Sequence, residues 1–357
     1  MSIMARLGTG RMPDALTGKH SGAGSCSRSG RATRRALLIA LGASAFTIPL
    51  SSLAQRQVRL RRIGYLAVAD ESTFLPLIAT FKQAMHGLGY VEGKDYAMEI
   101  RSARGDVKRL PGLAAELVAL GVDVIITPGT PNTIAARDAT RAIPIVMVTT
   151  SDPVGTGLVA SLARPGGNIT GFDSFTREIT TKRLELLREL VPSIRRVGFI
   201  HNPDSVAERA EWKVLAAGGE KLGVRVIAAG VPFGQDVSRI FAELKKEKAD
   251  ALIVASGANL TRRAAIIEQA YKNRLPAIYG NPAFVADGGL ICYTADWPDQ
   301  YRRAATYVDK IFKGARPADL PVEQPTRFEL VLNMKTAKAL GIKIPQSILI
   351  RTDKVIE

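Results

Sequence analysis

The stretch that decides the fold is VDVIITPG (residues 122–129), followed after one helical segment by PIVMVTTSDP (residues 144–153). Each contains a continuous run of aliphatic residues and ends in small or polar residues. Continuous apolar runs, unlike alternating ones, predict parallel strands that are buried on both faces, because helices cover both sides of such a sheet. The two stretches therefore predict an α/β fold of the doubly wound type.

The same pattern extends in both directions from this pair of strands. Strands are predicted at 62–68, 96–101 and 169–172, with helical segments between them. The pattern then starts again, with strands predicted at 196–200, 224–230, 250–256 and 275–280. Residues 123–172 and residues 250–293 align with each other: each range has a predicted strand, a helix, a second strand and a final segment with a Gly-Gly pair. Four elements in the same order at similar spacing predict two lobes of one architecture.

The charge of the chain is unevenly distributed. The 357 residues carry a net charge of +16, which raises the question of nucleic-acid binding. Residues 1–54 hold seven basic residues and one acid, and residues 55–62 add four arginines. The remaining residues, 63–357, hold 38 basic and 32 acidic residues. Because the excess is N-terminal and no helix-turn-helix pattern lies beside it, we expect no nucleic-acid partner.

Residues 34–54 have the order of an export signal. Arg34 and Arg35 precede an apolar run at 36–48, and small residues follow at 52–54. As a helix the run would reach about 20 Å, short of the roughly 30 Å hydrocarbon core of a bilayer. We therefore expect a periplasmic protein that loses residues 1–54 by the twin-arginine or the general route and keeps 55–62 as a basic linker. The alternative is a helix of the globular domain.

Catalytic motifs are scarce in the rest of the chain. His86, His201 and Cys292 have no partner at a metal-ligand spacing in the sequence. There is no GxSxG segment and no Walker A loop. We therefore predict that the protein is not an enzyme, with no catalytic residue, no metal and no cofactor.

One motif supports a different function. Gly155, Gly157 and Ala160 spell GxGxxA, and Asp173 follows at the end of the next predicted strand, as in a dinucleotide-binding fingerprint. An exported NAD(P)-dependent oxidoreductase is therefore one alternative function. Against it, five residues separate the predicted strand end at Thr149 from Gly155, which is too many for the tight turn of that fingerprint.

Polar residues that follow the predicted strands form the candidate ligand site. Ligands of doubly wound sheets bind at the carboxyl ends of the strands, where these residues lie. Hydroxyl, amide and acidic groups without a nucleophile–base pair suit the binding of a small polar ligand, although each can instead cap the helix that follows it. The predicted ligand-binding residues are Asp70, Glu71, Thr127, Gly129, Thr130, Thr150, Ser151, Asp152, Asp173, Asn202, Ser256, Asn259 and Asn281.

Five segments resemble the periplasmic substrate-binding proteins of an ABC-transporter family, of the type I class. The resemblance covers residues 60–357 and implies two Rossmann-like lobes joined by three crossovers. We expect lobe 1 at 63–173, lobe 2 at 174–293, and a segment at 294–357 that returns to both lobes. The segments are LGYVEGKDY (88–96), VDVIITPGTPNTIAA (122–136), IPIVMVTTSDPVGTGLVASLARPGGNITGF (143–172), KRLELLRELVP (182–192) and ADLPVEQPTRFELVLNMKTAKALGIKIP (318–345).

The resemblance implies a solute receptor that closes two lobes on a small-molecule ligand and delivers it to the permease and ATPase of an importer. Some relatives take aromatic amino acids. For such a ligand, Asp70, Asp152 or Asp173 can hold the ammonium group, and Thr130 and Ser151 can hold the carboxylate. We expect a monomer. A ligand-sensing domain of the transcriptional repressor type shares the two lobes and is the second alternative function.

Overall fold

A computed structural model describes residues 59–232, 235–255, 257 and 262–357, without the side chains of Thr176 and Arg177. The predicted export signal, residues 55–58 of the predicted linker, and Ser256 and Asn259 of the predicted site lie outside the described residues. None of the helices in the described ranges combines the length and the hydropathy that a membrane span requires.

The first lobe is built on a parallel sheet of five strands in the order β2-β1-β3-β4-β5. Helices connect the first four strands along the chain and pack against the sheet, and a loop connects β4 to β5. The elements are β1 (Arg61–Ala67), α1 (Glu71–Gly87), β2 (Tyr96–Ser102), α2 (Leu110–Ala119), β3 (Val124–Pro128), α3 (Thr130–Ala139), β4 (Ile145–Thr150) and β5 (Ile169–Asp173).

Both faces of this sheet are buried, as the continuous apolar runs predict. Along β3, Val124 and Ile126 belong to one hydrophobic core and Ile125 to another. Along β4, Val146 packs into the first core and Met147 into the second. Successive side chains of a strand point to opposite faces, so only an apolar side chain at every position can fill two cores.

The second lobe repeats the strand order of the first. Its sheet has seven strands in the order β12-β11-β10-β9-β8-β6-β7, and β10 and β11 are the antiparallel pair. Counted from β6, the first five strands have the same 2-1-3-4-5 order as β1 to β5. The elements up to β10 are α4 (Thr176–Leu190), β6 (Arg196–His201), α5 (Val206–Lys221), β7 (Arg225–Gly230), α6 (Val237–Lys246), β8 (Ala251–Val254), α7 (Arg263–Lys272), β9 (Ala277–Tyr279), α8 (Pro282–Ala286) and β10 (Ile291–Ala295).

The chain crosses between the lobes three times. After β5 it enters lobe 2, and after β10 it returns to lobe 1, where α9 (Trp297–Phe312) packs on α1 and β4. Residues 317–326 then run beside β5, where the Glu323 amide donates to the carbonyl of Gly171 at 2.9 Å. The chain ends in lobe 2 with β11 (Phe328–Asn333), α10 (Met334–Leu340), α11 (Gln346–Arg351) and β12 (Lys354–Ile356). The predicted fold class, two doubly wound lobes joined by three crossovers, is confirmed.

The start of β1 differs from the expectation. The strand begins at Arg61, one residue before the predicted strand and inside the predicted linker. The Asp123 carboxylate explains this difference, because it accepts a bond from the Arg61 guanidinium at 3.2 Å and from the Arg62 amide at 2.8 Å. These bonds hold the first two residues of the strand.

Strands β4 and β5 approach each other unusually closely at Gly171. The register between them shifts between Met147 and Thr150, which is the mark of a β-bulge. Gly171 has a φ of 126°, and a Cβ atom there would overlap the carbonyl oxygen of Met147. Glycine is therefore required at this position for both conformational and steric reasons.

We predict that Gly171→Ala lowers the free energy of unfolding by about 2–4 kcal/mol, from backbone strain and overpacking together. The matched control is Gly112→Ala in α2, where an added Cβ meets nothing within 4 Å. That substitution should raise stability by up to about 1 kcal/mol through helix propensity. Urea denaturation of the two variants measures both effects, and equal stability of the two would contradict the prediction.

Candidate functional site

A cavity lies between the two lobes, at the carboxyl ends of β4 and β5. Lobe 1 contributes the loop that follows β4, and lobe 2 contributes side chains from α4 and α5. Asp173 at the end of β5 and Gln324 in the third crossover complete the wall. The lining residues are Ser151, Asp152, Pro153, Val154, Leu162, Asp173, Glu178, Ala207, Glu211 and Gln324.

Three of the predicted site residues meet in this cavity: Ser151, Asp152 and Asp173. The bulge in β4 precedes them, and Thr149 and Asp152 both have positive φ values, 54° and 47°. Such a backbone is uncommon for residues other than glycine and is concentrated at functional sites. The Ser151 hydroxyl lies 3.0 Å from that of Ser174, so the end of β4 is tied to the first crossover.

Other predicted hydroxyl residues form a network beneath this loop. The hydroxyl of Thr133 lies 2.8 Å from that of Thr127 and 3.1 Å from that of Thr150. Thr130 accepts a bond from the Ser151 amide at 3.1 Å. Thr127 and Thr150 are fully buried. These threonines support the loop from behind and are not among the lining residues of the cavity.

Gly129 lies between this network and α3. Its φ of 86° turns the backbone from β3 into the helix. The amide of Asn132 then donates to the carbonyl of Pro128, while its Oδ1 atom is buried without a hydrogen-bond partner among the described residues. The start of α3 is therefore shaped by local bonds.

Among the described residues, four more predicted site residues do not lie in the cavity wall: Asp70, Glu71, Asn202 and Asn281. Asp70 and Glu71 lie exposed at the start of α1. Asn281 caps α8 by accepting from the Ala283 amide at 2.9 Å. Asn202 accepts from the Asp204 amide at 3.0 Å. Both asparagine side-chain oxygens thus accept bonds from nearby backbone amides, as expected if these residues cap helices or turns and do not bind a ligand.

The sequence analysis missed three polar residues of the wall: Glu178, Glu211 and Gln324. The predicted residues all follow strands, whereas Glu178 and Glu211 lie on α4 and α5. A signal for Glu211 is present in the sequence, because Ala207 and Leu215 lie one helical turn away on either side. A carboxylate in that apolar stripe marks a buried charge with a specific partner.

The acidic groups of the wall have different environments. Burial raises the pKa of Asp173, an effect opposed by hydrogen bonds from the Phe175 amide, the Gln324 side chain and the Asp152 amide. Burial also raises the pKa of Glu211, opposed by the positive charge of Arg183 and a hydrogen bond from Thr180. Four carboxylates and no lysine or arginine are among the lining residues. The wall is therefore suited to a ligand that carries a positive charge.

The GxGxxA segment does not have the geometry of a dinucleotide site. Residues 152–157 form turns, and no helix starts within the described residues 151–175. The Gly155 amide donates to the Asp152 carboxylate at 3.0 Å. A fingerprint glycine has to leave its amide and the following helix terminus open to a pyrophosphate, so the oxidoreductase alternative gains no support.

A metal centre also finds no support in the described part of the chain. No group of three or more His, Cys, Asp and Glu side chains in those ranges is arranged to hold a metal ion. Cys292 is buried, and burial raises the pKa of its thiol to about 12. It therefore stays protonated and unreactive at neutral pH.

Three known proteins that are similar to this chain are binding proteins or complexes with a small ligand. A tyrosine-binding protein of Clostridioides difficile (strain R20291) is 28% identical over 284 residues, which are 79% of this chain and 81% of the relative. A solved structure of an ABC domain in complex with L-Trp from Streptococcus pneumoniae has a TM-score of 0.77 at 25% identity, covering 83% of this chain and 100% of that one. A ligand-free, open substrate-binding protein with adhesive properties from Clostridium difficile has a TM-score of 0.64 at 25% identity, covering 83% and 99%.

The family model for ABC transporter substrate binding proteins matches residues 66–356. This range takes in lobe 2, lobe 1 from the end of β1 onward, all three crossovers and every lining residue of the cavity between the lobes. The chain therefore belongs to the family of ABC transporter substrate-binding proteins.

Proposed function

We propose that the protein is an exported solute receptor of an ABC importer, which closes its two lobes on an amino acid and delivers it to a membrane permease. The observation that carries this proposal is the cavity whose wall takes residues from both lobes and from the third crossover. A ligand that touches both lobes stabilises the closed arrangement by the difference between its affinities for the closed and open forms.

The ligand we propose is an amino acid, with tyrosine and tryptophan as the first candidates. The names of two relatives support this choice, since one is a tyrosine-binding protein and the other was solved with L-Trp. The acidic wall supplies partners for an ammonium group, and Ser151 is a predicted partner for the carboxylate. Hydrogen bonds to charged groups are worth about 1.5–3 kcal/mol each, so a few of them define a selective site.

A hinge between two arrangements of the lobes is supported by the comparison of two relatives. Both are 25% identical to this chain and cover 83% of it, yet the TM-score is 0.77 for the L-Trp complex and 0.64 for the ligand-free open structure. Because identity and coverage are equal, we attribute the gap to a different arrangement of the lobes in the relative that is described as open. Closure about the three crossovers is the motion expected of this architecture.

We predict that L-tryptophan or L-tyrosine binds the purified protein and raises its stability by about 2.7 kcal/mol at a ligand concentration one hundred times the Kd. Asp152→Asn should weaken this binding about ten- to a hundredfold, because it removes a charged partner and keeps an oxygen for the Gly155 amide. The control is Asp70→Asn, which removes an exposed charge away from the wall. Calorimetry on the three proteins measures the effect, and equal affinities would exclude Asp152 from the site.

The raised pKa values of Asp173 and Glu211 predict how affinity depends on pH. A carboxyl group with a raised pKa takes up its proton at a higher pH than an exposed acid. Since only the ionised carboxylate attracts an ammonium group, affinity should fall as the pH is lowered from neutral through these raised values. Titrations at constant ionic strength, with circular dichroism to confirm folding at each pH, measure the effect. A constant affinity down to the pH at which the protein unfolds would contradict it.

Export is tested by the N-terminus of the protein made in a Gram-negative host. We predict a periplasmic form that begins near Gln55, since residues 34–54 have the order of a cleavable signal. N-terminal sequencing of the periplasmic fraction identifies the cleavage site. A full-length protein confined to the cytoplasm would contradict the prediction and revive the repressor-type alternative.

A further inference from the structure

A buried ion pair joins α4 and α5 behind the cavity. Arg183 and Glu211 are 1% and 2% exposed, and Nη1 of Arg183 lies 3.3 Å from Oε1 of Glu211. Like Glu211, Arg183 lies in the apolar stripe of its helix, one turn from the buried Ile179 and Leu187. Charged side chains are rarely buried in this way, because taking each ion out of water costs several kcal/mol.

Stability does not account for this pair. Replacing a buried ion pair by apolar side chains of similar volume is often neutral or even stabilising. The location of the pair provides a different reason, because Glu211 is part of the cavity wall while Arg183 is absent from it. The pair thus presents a carboxylate to the cavity and keeps its counter-charge behind the wall.

The two oxygens of the Glu211 carboxylate have different surroundings. Thr180 and Arg183 both donate to Oε1, the arginine at 3.3 Å. Among the described residues no hydrogen bond to Oε2 is found. Arg183 is held in turn by its Nε, which donates to the carbonyl of Tyr293 at 2.8 Å. Oε1 is therefore held by two donors, and Oε2 is available to a ligand in the cavity that Glu211 lines.

We propose that Glu211 receives the ammonium group of the ligand on Oε2, and that Arg183 and Thr180 are positioning residues that fix this carboxylate through Oε1. The inference rests on the proposed function and deepens it by naming the residue that recognises the ligand amine. In the empty protein Arg183 compensates the charge of Glu211. When the ligand binds, Asp152 and Glu178 in the same wall balance the added positive charge.

The same network connects the ammonium position to the crossovers. Tyr293 lies in β10 before the second crossover and stacks on Phe328, which begins β11 directly after the third crossover, at 5.9 Å between ring centroids. Phe328 packs in turn on Phe175 of the first crossover at 6.4 Å. Arg183 thus anchors Glu211 to the segments about which the lobes close. The ammonium subsite is therefore part of the hinge framework and not of a mobile loop.

The test compares ligands with and without an ammonium group on three proteins. Calorimetry is done on the parent protein, Glu211→Gln and the control Glu208→Gln, with L-tryptophan, L-tyrosine and the deamino analogues 3-(indol-3-yl)propanoate and 3-(4-hydroxyphenyl)propanoate. Glu208 is a buried acid on the same helix whose carboxylate accepts from the Asn202 amide at 2.7 Å, and it is not a lining residue of the cavity.

We expect Glu211→Gln to weaken the binding of the amino acids about ten- to a hundredfold and to leave the binding of the deamino analogues unchanged. Glu208→Gln should keep the parental preference for the amino acid over its analogue. If Glu211→Gln binds the amino acids as the parent does, or loses the analogues in equal measure, the assignment of Glu211 is overturned while the proposed function stands. If the parent protein binds neither amino acid, both the assignment of Glu211 and the proposed function are contradicted.

The double variant Arg183→Met/Glu211→Met guards against a loss of folding in the single variants. It removes both charges and leaves no buried ion unpaired, so the fold should persist. We expect a cooperative thermal transition together with loss of the preference for the ammonium-bearing ligand. A folded double variant that retains this preference would also overturn the proposal.

Discussion

Each parallel sheet carries apolar side chains on both faces, and the need to bury both faces sets the rest of the architecture. Parallel strands require a crossover between one strand and the next, and a helix that packs back on the sheet provides most of these crossovers. Strands joined in this way point in the same direction, and their carboxyl ends meet at one edge. In this protein the loop after β4 and the end of β5 meet α4 and α5 there, which places the cavity between the lobes.

The third crossover fixes how the lobes are joined. Residues 317–326 lie along β5, where the Asp173 amide donates to the carbonyl of Glu323 at 2.9 Å. Arg303 of α9 pairs with the Glu323 carboxylate, and its guanidinium lies 4.9 Å from the centroid of the Phe172 ring. On the other side of β5, the backbone of Met147 in β4 comes so close to Gly171 that no side chain fits there. The hinge is thus built on a tightly packed strand whose geometry permits little variation.

The polar groups near the cavity divide into those that support the fold and those that are available to a ligand. The carboxylate of Asp173 has three hydrogen-bond donors from the crossover segments and the loop after β4, so it helps to hold these segments together. The threonines of β3, α3 and β4 bond chiefly to one another. Glu211 differs from both groups, since its bonds concern one oxygen only. Residues of similar chemistry thus have different roles because their partners differ.

The sequence alone determined the fold class, because uninterrupted apolar runs such as VDVII and IVMV require burial on both faces, and the repeated order of elements requires two such sheets. It also located Ser151, Asp152 and Asp173 at the cavity, because strand ends in a parallel sheet share an edge. Only the tertiary structure showed that Asn202 and Asn281 make local bonds and that Glu178, Glu211 and Gln324 complete the wall. The physical reason is that strand direction follows from local patterning, whereas the partner of a polar side chain depends on helices and crossovers that are distant in sequence and meet only when the two lobes are folded.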